Sequence, residues 1–209
     1  MRNNIPEIKH LCFLNHKNIE KFVRCNTNAY IGDSLMDYFG GGKDRKFVYW
    51  LWHANIYSFT KSVIAFADSD EVKGIMVWVP PRAVAVNDLN FLWQGCLRFF
   101  LKLWRIIRTE NYSRMLKNKY MDENTWYLFD FAVDPAYQHQ NVASKLMLPI
   151  LQYMDRIHAS CYLETYEEHT IAMYERYGFK LVFAGDVPKS NLKQYCMLRV
   201  FKAPFANSQ

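Results

Sequence analysis

The sequence has few glycines, and it lacks the glycine-rich motifs that hold phosphate groups in two common classes of nucleotide-binding protein. Eight of its 209 residues are glycine, and neither Gly-x-Gly-x-x-Gly nor Gly-x-x-x-x-Gly-Lys-Ser/Thr occurs. The dinucleotide-binding fingerprint and the P-loop are therefore excluded. The triplet Gly40–Gly42 precedes Lys43 and Asp44. It predicts the end of a helix, because glycine readily adopts the left-handed conformation that many helix ends use.

Cysteine is present, but not in a pattern that binds a metal or builds a disulfide framework. The five cysteines are odd in number and contain no Cys-x-x-Cys pair or His/Cys ligand spacing. We interpret them as free thiols and predict no metal site. The charged N-terminus also lacks the pattern of a secretory signal peptide. Together these features predict a cytoplasmic location.

Long uncharged segments, internal repeats and low-complexity regions are missing as well. Charged residues break every apolar run before it reaches the ~18 residues of a membrane-spanning helix, so no membrane span is predicted. The net charge is +6, but Lys and Arg are scattered, which argues against nucleic acid as a partner. Hydrophobic residues make up 51% of the sequence, which excludes a disordered chain. We predict a single domain over residues 1–209, as a monomer or homodimer.

The most informative stretch reads as a strand, a tight loop and a helix. Residues Trp126 to Val133 are aromatic and β-prone, and Asp134-Pro135 ends the run because proline disfavours continuation. Val142, Leu146 and Ile150 then recur at helical spacing. The first backbone N–H groups of such a helix are unpaired and lie at the positive end of its dipole. This arrangement predicts an anion site, with phosphate the preferred ligand.

Three ordered motifs resemble the GNAT superfamily of N-acetyltransferases. Val133 to Ala143 is similar to its acyl-CoA loop, Cys161–Thr165 to the strand that follows, and His169 to Phe179 to its Tyr-x-x-x-Gly-Phe helix end. The resemblance covers roughly Trp126 to Leu181. It implies an α/β (α+β) fold with a mixed, mostly antiparallel central sheet flanked by helices. It also implies acetyl-CoA-dependent transfer of an acetyl group to the primary amine of a small molecule, by direct attack on the thioester.

The resemblance also implies which residues hold the acetyl-CoA. The pantetheine arm would extend along the 126–133 strand, bonded to the main chain at Phe131 and Val133, and the diphosphate would lie over the loop. Two positions depart from the family pattern: Asn141 replaces a usual glycine, and Thr170 replaces a frequent asparagine. Asn tolerates the left-handed conformation better than other residues with a Cβ. The implied cofactor-binding residues are Phe131, Ala132, Val133, Gln138, His139, Gln140, Asn141, Val142, Ala143, Ser144 and Thr170.

Tyr174 matches the family tyrosine that can give a proton to the leaving thiolate. A phenol stays protonated near neutral pH, so it is available as the acid. The general base is left open between Asp130, Glu164 and a chain of water molecules. A partly buried carboxylate can have a raised pKa and accept the amine's proton, but either carboxylate also suits a structural role. The alternative function is a non-catalytic acyl-CoA-binding or sensor module of the same fold.

Outside these motifs, the predicted elements are assigned from periodicity and turn residues. Asn15 is predicted to cap the first of two N-terminal helices, and Pro149 is predicted to bend the helix after the loop near Lys145. The remaining predictions are a strand at 10–14, a helix at 47–59, a strand hairpin at 62–67 and 72–79, a helix at 169–177 and a closing hairpin at 180–184 and 194–201.

A helical insertion is predicted at about 87–120, before the cofactor strand. Its apolar stripe runs from Leu89 to Ile107 and includes Trp93 and Trp104, with basic residues on the other surface. We interpret this stripe as packing on the sheet beside the acceptor site. The alternative is an amphipathic helix that lies in a membrane interface.

Overall fold

The computed structural model describes residues 11–95 and 100–201, which form one seven-stranded sheet with helices on both faces. The spatial order is β1-β2-β3-β4-β5-β7-β6, and every neighbouring pair is antiparallel except β4–β5. The predicted mixed, mostly antiparallel sheet is confirmed. The strands are β1 (Cys12–Phe13), β2 (Ile64–Ala67), β3 (Gly74–Val79), β4 (Trp126–Val133), β5 (Cys161–Thr165), β6 (Lys180–Asp186) and β7 (Lys193–Arg199); the helices are α1 (Ile19–Tyr30), α2 (Ser34–Gly40), α3 (Arg45–Tyr57), α4 (Asp88–Gly95), α5 (Phe100–Tyr120), α6 (Val142–Arg156) and α7 (Ile171–Arg176).

The two faces of the sheet carry separate apolar cores. One core joins α1, α2 and α3 to the sheet, with Phe22 and Val77 among its fully buried members. The other joins α6 and α7 to the opposite face through Leu146, Trp78 and Phe179. Because both faces are covered, the central strand β3 is buried along its whole length and reads as a continuous apolar run instead of an alternating one.

A β-bulge interrupts the pairing of β3 with β4. Val77 lies opposite Asp130 and Trp78 lies opposite Leu128, so Phe129 is the extra residue on β4. A bulge bends its strand and shifts the alternation of side chains between the two faces. Phe129 packs in the α1–α3 core and the Asp130 carboxylate also meets α1, although the two residues are adjacent in sequence. The bulge therefore directs Asp130 towards α1.

The segment before β4 differs from the prediction. It contains two described helices, α4 and α5, and Asn87 caps the first by accepting a hydrogen bond from the Asn90 N–H at 3.1 Å. The prediction that the apolar stripe packs on the sheet is wrong for four exposed members: Leu89, Trp93, Trp104 and Ile107. Helix α5 instead buries the row Ile106, Thr109, Ser113 and Leu116. The stripe residues Leu92, Cys96, Phe99 and Phe100 lie outside the side chains that the structure describes.

Polar contacts explain why α5 turns that row inwards. The Ser113 hydroxyl donates to Glu164 of β5, and Leu116 packs with Tyr162 of the same strand. These partners are about fifty positions away in sequence, so hydrophobic periodicity alone does not reveal them. The outward Trp104 ring is covered by the Arg108 guanidinium, 4.6 Å from the ring centroid. In the described ranges, no helix is both long and apolar enough to cross a bilayer.

Smaller differences concern where elements begin. Helix α1 begins at Ile19, with Asn18 in the cap position, so the prediction of Asn15 as the cap is wrong. The Asn18 Oδ1 accepts from the Asn15 N–H at 2.8 Å, which shapes the turn before the helix. Gly41 adopts the predicted left-handed conformation at the end of α2, with φ 77°. Pro149 lies inside the uninterrupted helix α6, and the bend near Lys145 stays a prediction.

Candidate active site

Strands β4 and β5 are parallel neighbours that separate part-way along their length. Their register runs from Trp126–Cys161 to Leu128–Leu163, whereas β4 continues to Val133 and β5 to Thr165. The separation begins at the bulge, where β4 bends away. Beyond it, the edge of β4 that faces β5 has main-chain groups outside the ladder between these strands. An extended, amide-containing ligand can add to such an edge as an extra strand.

The loop after β4 presents its main chain at the end of this cleft. The Asp134 carboxylate accepts from the Ala136 N–H at 3.0 Å and from the Asn28 side-chain amide of α1 at 2.6 Å, which fixes the start of the loop. His139 and Asn141 both have left-handed backbone conformations, with φ 62° and 61°. Asn141 thus adopts the left-handed conformation that asparagine tolerates, and this residue makes no side-chain cap hydrogen bond to α6.

The start of α6 faces the same loop. The first backbone bond into the helix is donated by Lys145 to the Asn141 carbonyl, at 3.0 Å. The N–H groups of Val142, Ala143 and Ser144 precede that bond and therefore point out of the helix end. Together with the helix dipole, they provide positive potential suited to a diphosphate.

Gly74 of β3 allows α6 to approach the sheet closely. A Cβ at this position would lie 2.6 Å from Val142 Cγ1 and 3.0 Å from Leu146 Cδ1. Real Cβ atoms do not come this close to a neighbour, so only glycine fits between β3 and the first turns of α6. Sequence reasoning missed this residue. Its signal is a glycine at the start of an otherwise continuous apolar strand.

Tyr174 lies on α7 and packs against β4 beyond the bulge. Its ring centroid is 6.3 Å from that of Phe131 and 6.0 Å from that of Phe179. Burial raises the pKa of Tyr174, and the negative charge of Asp130 raises it further. The phenol therefore stays protonated at neutral pH and can donate a hydrogen bond to a developing anion. The same shift makes it a weaker acid than a phenol in water.

Asp130 lies beneath α1 and is almost fully buried, at 2% exposure. Its Oδ2 accepts from the Asn26 amide at 2.8 Å and its Oδ1 from the Tyr30 hydroxyl at 2.7 Å. Burial raises the pKa of Asp130 to about 6, and these two hydrogen bonds oppose the rise because they favour the charged carboxylate. A carboxyl group with this pKa can exchange a proton near neutral pH.

Glu164 points to a different neighbourhood, under α5. Its carboxylate accepts hydrogen bonds from the hydroxyls of Ser113, Tyr162 at 2.9 Å and Tyr127 at 3.4 Å. Burial raises the pKa of Glu164, whereas the charge of Lys117 lowers it. Tyr162 and Glu164 share a face of β5, as the alternation of the strand predicts. The two candidate bases thus lie on different strands and have separate sets of hydroxyl partners.

The polar side chains nearer α7 are largely engaged with the protein. The Thr170 hydroxyl donates to the Glu167 carbonyl at 2.7 Å and lies 2.9 Å from the Thr165 hydroxyl. The Ser144 and Tyr177 hydroxyls are 3.1 Å apart and join α6 to α7. Any contact from Thr170 to a cofactor would use the remaining acceptor capacity of its oxygen.

Further carboxylates connect α2 to the segment after β5. The Glu167 Oε1 accepts from the Ser34 N–H at 2.7 Å. Asp33 caps α2 through the N–H groups of Leu35 and Met36, both at 3.0 Å. Burial raises the pKa of Asp33 to about 6, with a contribution from the charge of Glu167.

Sequence reasoning also missed the α1 partners of Asp130. Asn26 and Tyr30 follow Phe22 at successive four-residue intervals, so all three share one face of the helix. Asn26 is fully buried. A fully polar amide within an apolar helix face is a detectable signal, because buried polar groups generally have a specific partner.

Known families and solved structures include proteins similar to this chain. The model of the acetyltransferase (GNAT) family matches residues 49–179. A ribosomal-protein alanine N-acetyltransferase from Escherichia coli has a TM-score of 0.53 at 12% identity, covering 95% of this chain and 97% of that one. A mosquito arylalkylamine N-acetyltransferase-like protein has a TM-score of 0.53 at 11% sequence identity, and the match covers 91% of this chain and 99% of that one. PaiA N-acetyltransferase from Thermoplasma acidophilum, in complex with coenzyme A, has a TM-score of 0.53 at 10% sequence identity, and the match covers 91% of this chain and 98% of that one. At these identities the structural likeness concerns the fold.

Proposed function

The chain belongs to the GNAT family of acetyltransferases, and from this premise we propose that it acetylates the primary amine of a small molecule. Acetyl-CoA-dependent acyl transfer is the activity of the family. The observation that carries the proposal is the cleft between β4 and β5, together with the loop that leads from β4 to the first N–H groups of α6, which precede the first helical bond. The cleft offers an edge for an amide-containing arm and a positive terminus for a diphosphate.

Acetyl-CoA supplies the acetyl group as a thioester. For its binding we propose the edge of β4 at Phe131, Ala132 and Val133, the loop from Gln138 to Asn141 and the first turn of α6 through Ser144. Thr170 would add a minor contact, because its hydroxyl already has protein partners. The fit is supported by the two left-handed loop residues, His139 and Asn141, because turns of this kind can form concave arrays of backbone N–H groups that bind anions.

Tyr174 and Asp130 are the residues that we propose for proton handling. Asp130 would take a proton from the ammonium form of the acceptor, because its raised pKa keeps it basic enough near neutral pH. The nitrogen then attacks the thioester carbonyl carbon, and it loses its second proton to solvent as the carbon–sulfur bond breaks. Tyr174 would donate its hydroxyl proton to the departing sulfur. Glu164 is retained as the second candidate base, because its carboxylate is also buried with a raised pKa.

The acceptor is proposed to be a cationic small amine. Asp130 and Glu164 lie just beyond Leu128 and Leu163, the last paired residues of β4 and β5, and carboxylates favour a positively charged ligand. One structural neighbour is named for arylalkylamines, which matches the aromatic side chains Tyr30 and Phe129 on this side of β4.

We further propose that residues 1–209 act as one domain in the cytoplasm, as a monomer or homodimer.

The test measures thiol release from acetyl-CoA over a panel of arylalkylamines, diamines and short peptides. Turnover of at least one small amine is expected. Cys12 is partly exposed, so a reaction without amine corrects for thiols of the protein itself. Turnover of peptides alone would contradict the small-molecule acceptor. Calorimetric binding of acetyl-CoA without turnover of any amine would contradict catalysis and favour an acyl-CoA sensor.

A further inference from the structure

A cavity lies on the outer side of the α1–α3 pair, and Arg45 of its lining reaches the loop after β4 through Asn28, which bonds Asp134. Its volume is about 730 Å³, within the range of small-molecule sites. Four cations line it, two from α1 and two from the start of α3, together with two aromatic residues. These six residues, called here the α1–α3 groove, are Lys21, Arg24, Arg45, Lys46, Tyr49 and Trp50.

The cations of the groove are only partly satisfied by the protein. The Lys21 Nζ donates to the Asp70 carbonyl at 2.7 Å, and the Arg45 guanidinium donates to the Asn28 side chain at 2.6 Å. The side chains of Arg24 and Lys46 make no ion pair or hydrogen bond within residues 11–95 and 100–201. The acid in the lining, Glu20, accepts from the hydroxyls of Tyr49 at 3.3 Å and Tyr57 at 2.8 Å. The groove therefore keeps an excess of positive charge.

The start of α3 adds to this excess. Arg45 and Lys46 occupy its first turn, which contains no acidic residue. Cations are unfavourable at this end of a helix, because the dipole is already positive there. The cap Asp44 bonds the Phe47 N–H at 3.0 Å and is 3.6 Å from the Lys102 ammonium, so its charge is shared. A local arrangement that opposes helix stability is expected where a site has a function, here the attraction of an anion.

We propose that the α1–α3 groove binds a nucleoside phosphate. The phosphates would lie between Arg24 and the first turn of α3, where the guanidinium groups of Arg24 and Arg45 and the Lys46 ammonium can donate. The aromatic base would pack on Tyr49 and Trp50, which are half-buried and in edge contact at 5.2 Å between ring centroids. This site is additional to the acetyl transfer proposed above and does not depend on it.

The test is calorimetric titration of the full chain with ADP, adenosine and inorganic diphosphate, each with and without saturating coenzyme A. We expect ADP to bind in the presence of coenzyme A, and adenosine and diphosphate each to bind more weakly. The double variant Arg24→Gln/Lys46→Gln is expected to lose affinity for ADP by about tenfold or more, because two charge-assisted contacts are removed. The matched control Lys180→Gln/Lys193→Gln removes two exposed cations from the β6–β7 hairpin and should bind ADP like the unmodified protein.

Three results would overturn the proposal. If coenzyme A abolishes ADP binding and the Arg24/Lys46 variant binds ADP normally, the nucleotide occupies the acetyl-CoA cleft. If none of the three ligands binds at concentrations up to about 1 mM, the groove is a solvated surface. If diphosphate binds as tightly as ADP, the nucleoside assignment is wrong and the site recognises phosphate alone. Both variants change exposed side chains, and unchanged circular dichroism spectra would establish that they fold.

Discussion

Burial has opposite consequences for the two side chains that we propose to move protons. It raises the pKa of the Asp130 carboxyl to about 6, which makes the carboxylate a better base. It also raises the pKa of the Tyr174 hydroxyl, which makes the phenol a weaker acid. Asp130 can therefore gain and lose a proton near neutral pH, whereas Tyr174 keeps its proton until negative charge develops on the leaving sulfur.

Replacing Tyr174 with Phe should reduce kcat by about one hundredfold, the lower end of typical acid–base contributions. Binding of acetyl-CoA should change little, because the ring contacts with Phe131 and Phe179 remain. Steady-state kinetics and calorimetry measure the two effects. Tyr177→Phe is the matched control, since it removes a hydroxyl that bonds Ser144. An undiminished kcat in Tyr174→Phe would remove Tyr174 from the acid role.

The pH dependence of kcat/KM should report the Asp130 carboxyl. Because its pKa is raised to about 6, the carboxyl is protonated below that pH and becomes a competent base above it. The plot of kcat/KM against pH should therefore have a rising limb centred near pH 6, and Asp130→Asn should abolish this limb. Asp33→Asn is the control, because the Asp33 pKa is also raised to about 6 while its role is to cap α2. If Asp130→Asn keeps the limb and Glu164→Gln removes it, the base is Glu164.

Tyr30→Phe should move the same limb to higher pH. The Tyr30 hydroxyl bonds the charged form of Asp130 at 2.7 Å and lowers its pKa, so removing it raises the pKa further. A shift of about one pH unit is expected from the loss of one hydrogen bond to a charged group. The measurement is the pH profile of kcat/KM. Tyr57→Phe, which removes an exposed hydroxyl bonded to Glu20, should leave the profile in place.

At the scale of elements, the strand–loop–helix unit was predictable because its signals are local. The proline after Asp134, the helical spacing from Val142 and the turn-tolerant Asn141 all lie within one short stretch. The β5 bounds, Cys161–Thr165, are likewise confirmed. The bulge at Phe129 was not predictable, since it exists only in the pairing of β4 with β3. That pairing decides where β4 leaves β5, and hence where the cleft opens.

The contact between β3 and α6 can be tested at Gly74. Gly74→Ala should lower the free energy of unfolding by about 1–3 kcal/mol, as overpacking does. It should also weaken acetyl-CoA binding, because the first turn of α6 must move away from the sheet. Urea denaturation and calorimetry measure these effects.

The double variant Gly74→Ala/Val142→Ala serves as the control for this prediction. It removes the Val142 Cγ1 atom, which would lie 2.6 Å from the Cβ of the new alanine. We expect it to recover part of both losses relative to Gly74→Ala alone. Full stability and normal binding in the single variant would contradict the close-approach argument.

At the scale of the whole molecule, the sequence predicted the class of sheet but not its long-range polar contacts. The Tyr30–Asp130 bond joins residues 100 positions apart, and the Ser113–Glu164 bond joins residues 51 apart. No local pattern encodes such pairs. The same limitation applies to the helical insertion. The face of α5 that is buried depends on its contacts with Tyr162 and Glu164 of β5.

One ion pair connects the closing hairpin to the rest of the molecule. Arg199 of β7 donates two hydrogen bonds to the Asp155 carboxylate of α6, both at 2.7 Å, and its Nε donates to the Tyr177 carbonyl. Asp155→Asn should lower the free energy of unfolding by about 1 kcal/mol, after allowance for the half-exposed Asp155. Thermal denaturation should show a decrease of about 2–4 °C in Tm.

The matched control for this pair is Glu123→Gln, which removes the exposed partner of Arg82. Exposed ion pairs contribute little, so its Tm should stay within about 1 °C of the unmodified protein. Equal Tm values for the Asp155 and Glu123 variants would show that the link from β7 to α6 adds no stability.

The position of β7 between β5 and β6 has a consequence for synthesis on the ribosome. Strand β6 leaves the exit tunnel before β7, yet it joins the sheet only through β7. Until β7 emerges, a nascent chain would carry β5 with one edge bare and β6 without any neighbour. Such edges invite pairing with other chains. The interval between the emergence of β6 and that of β7 should therefore be the one in which the nascent chain is most prone to aggregate.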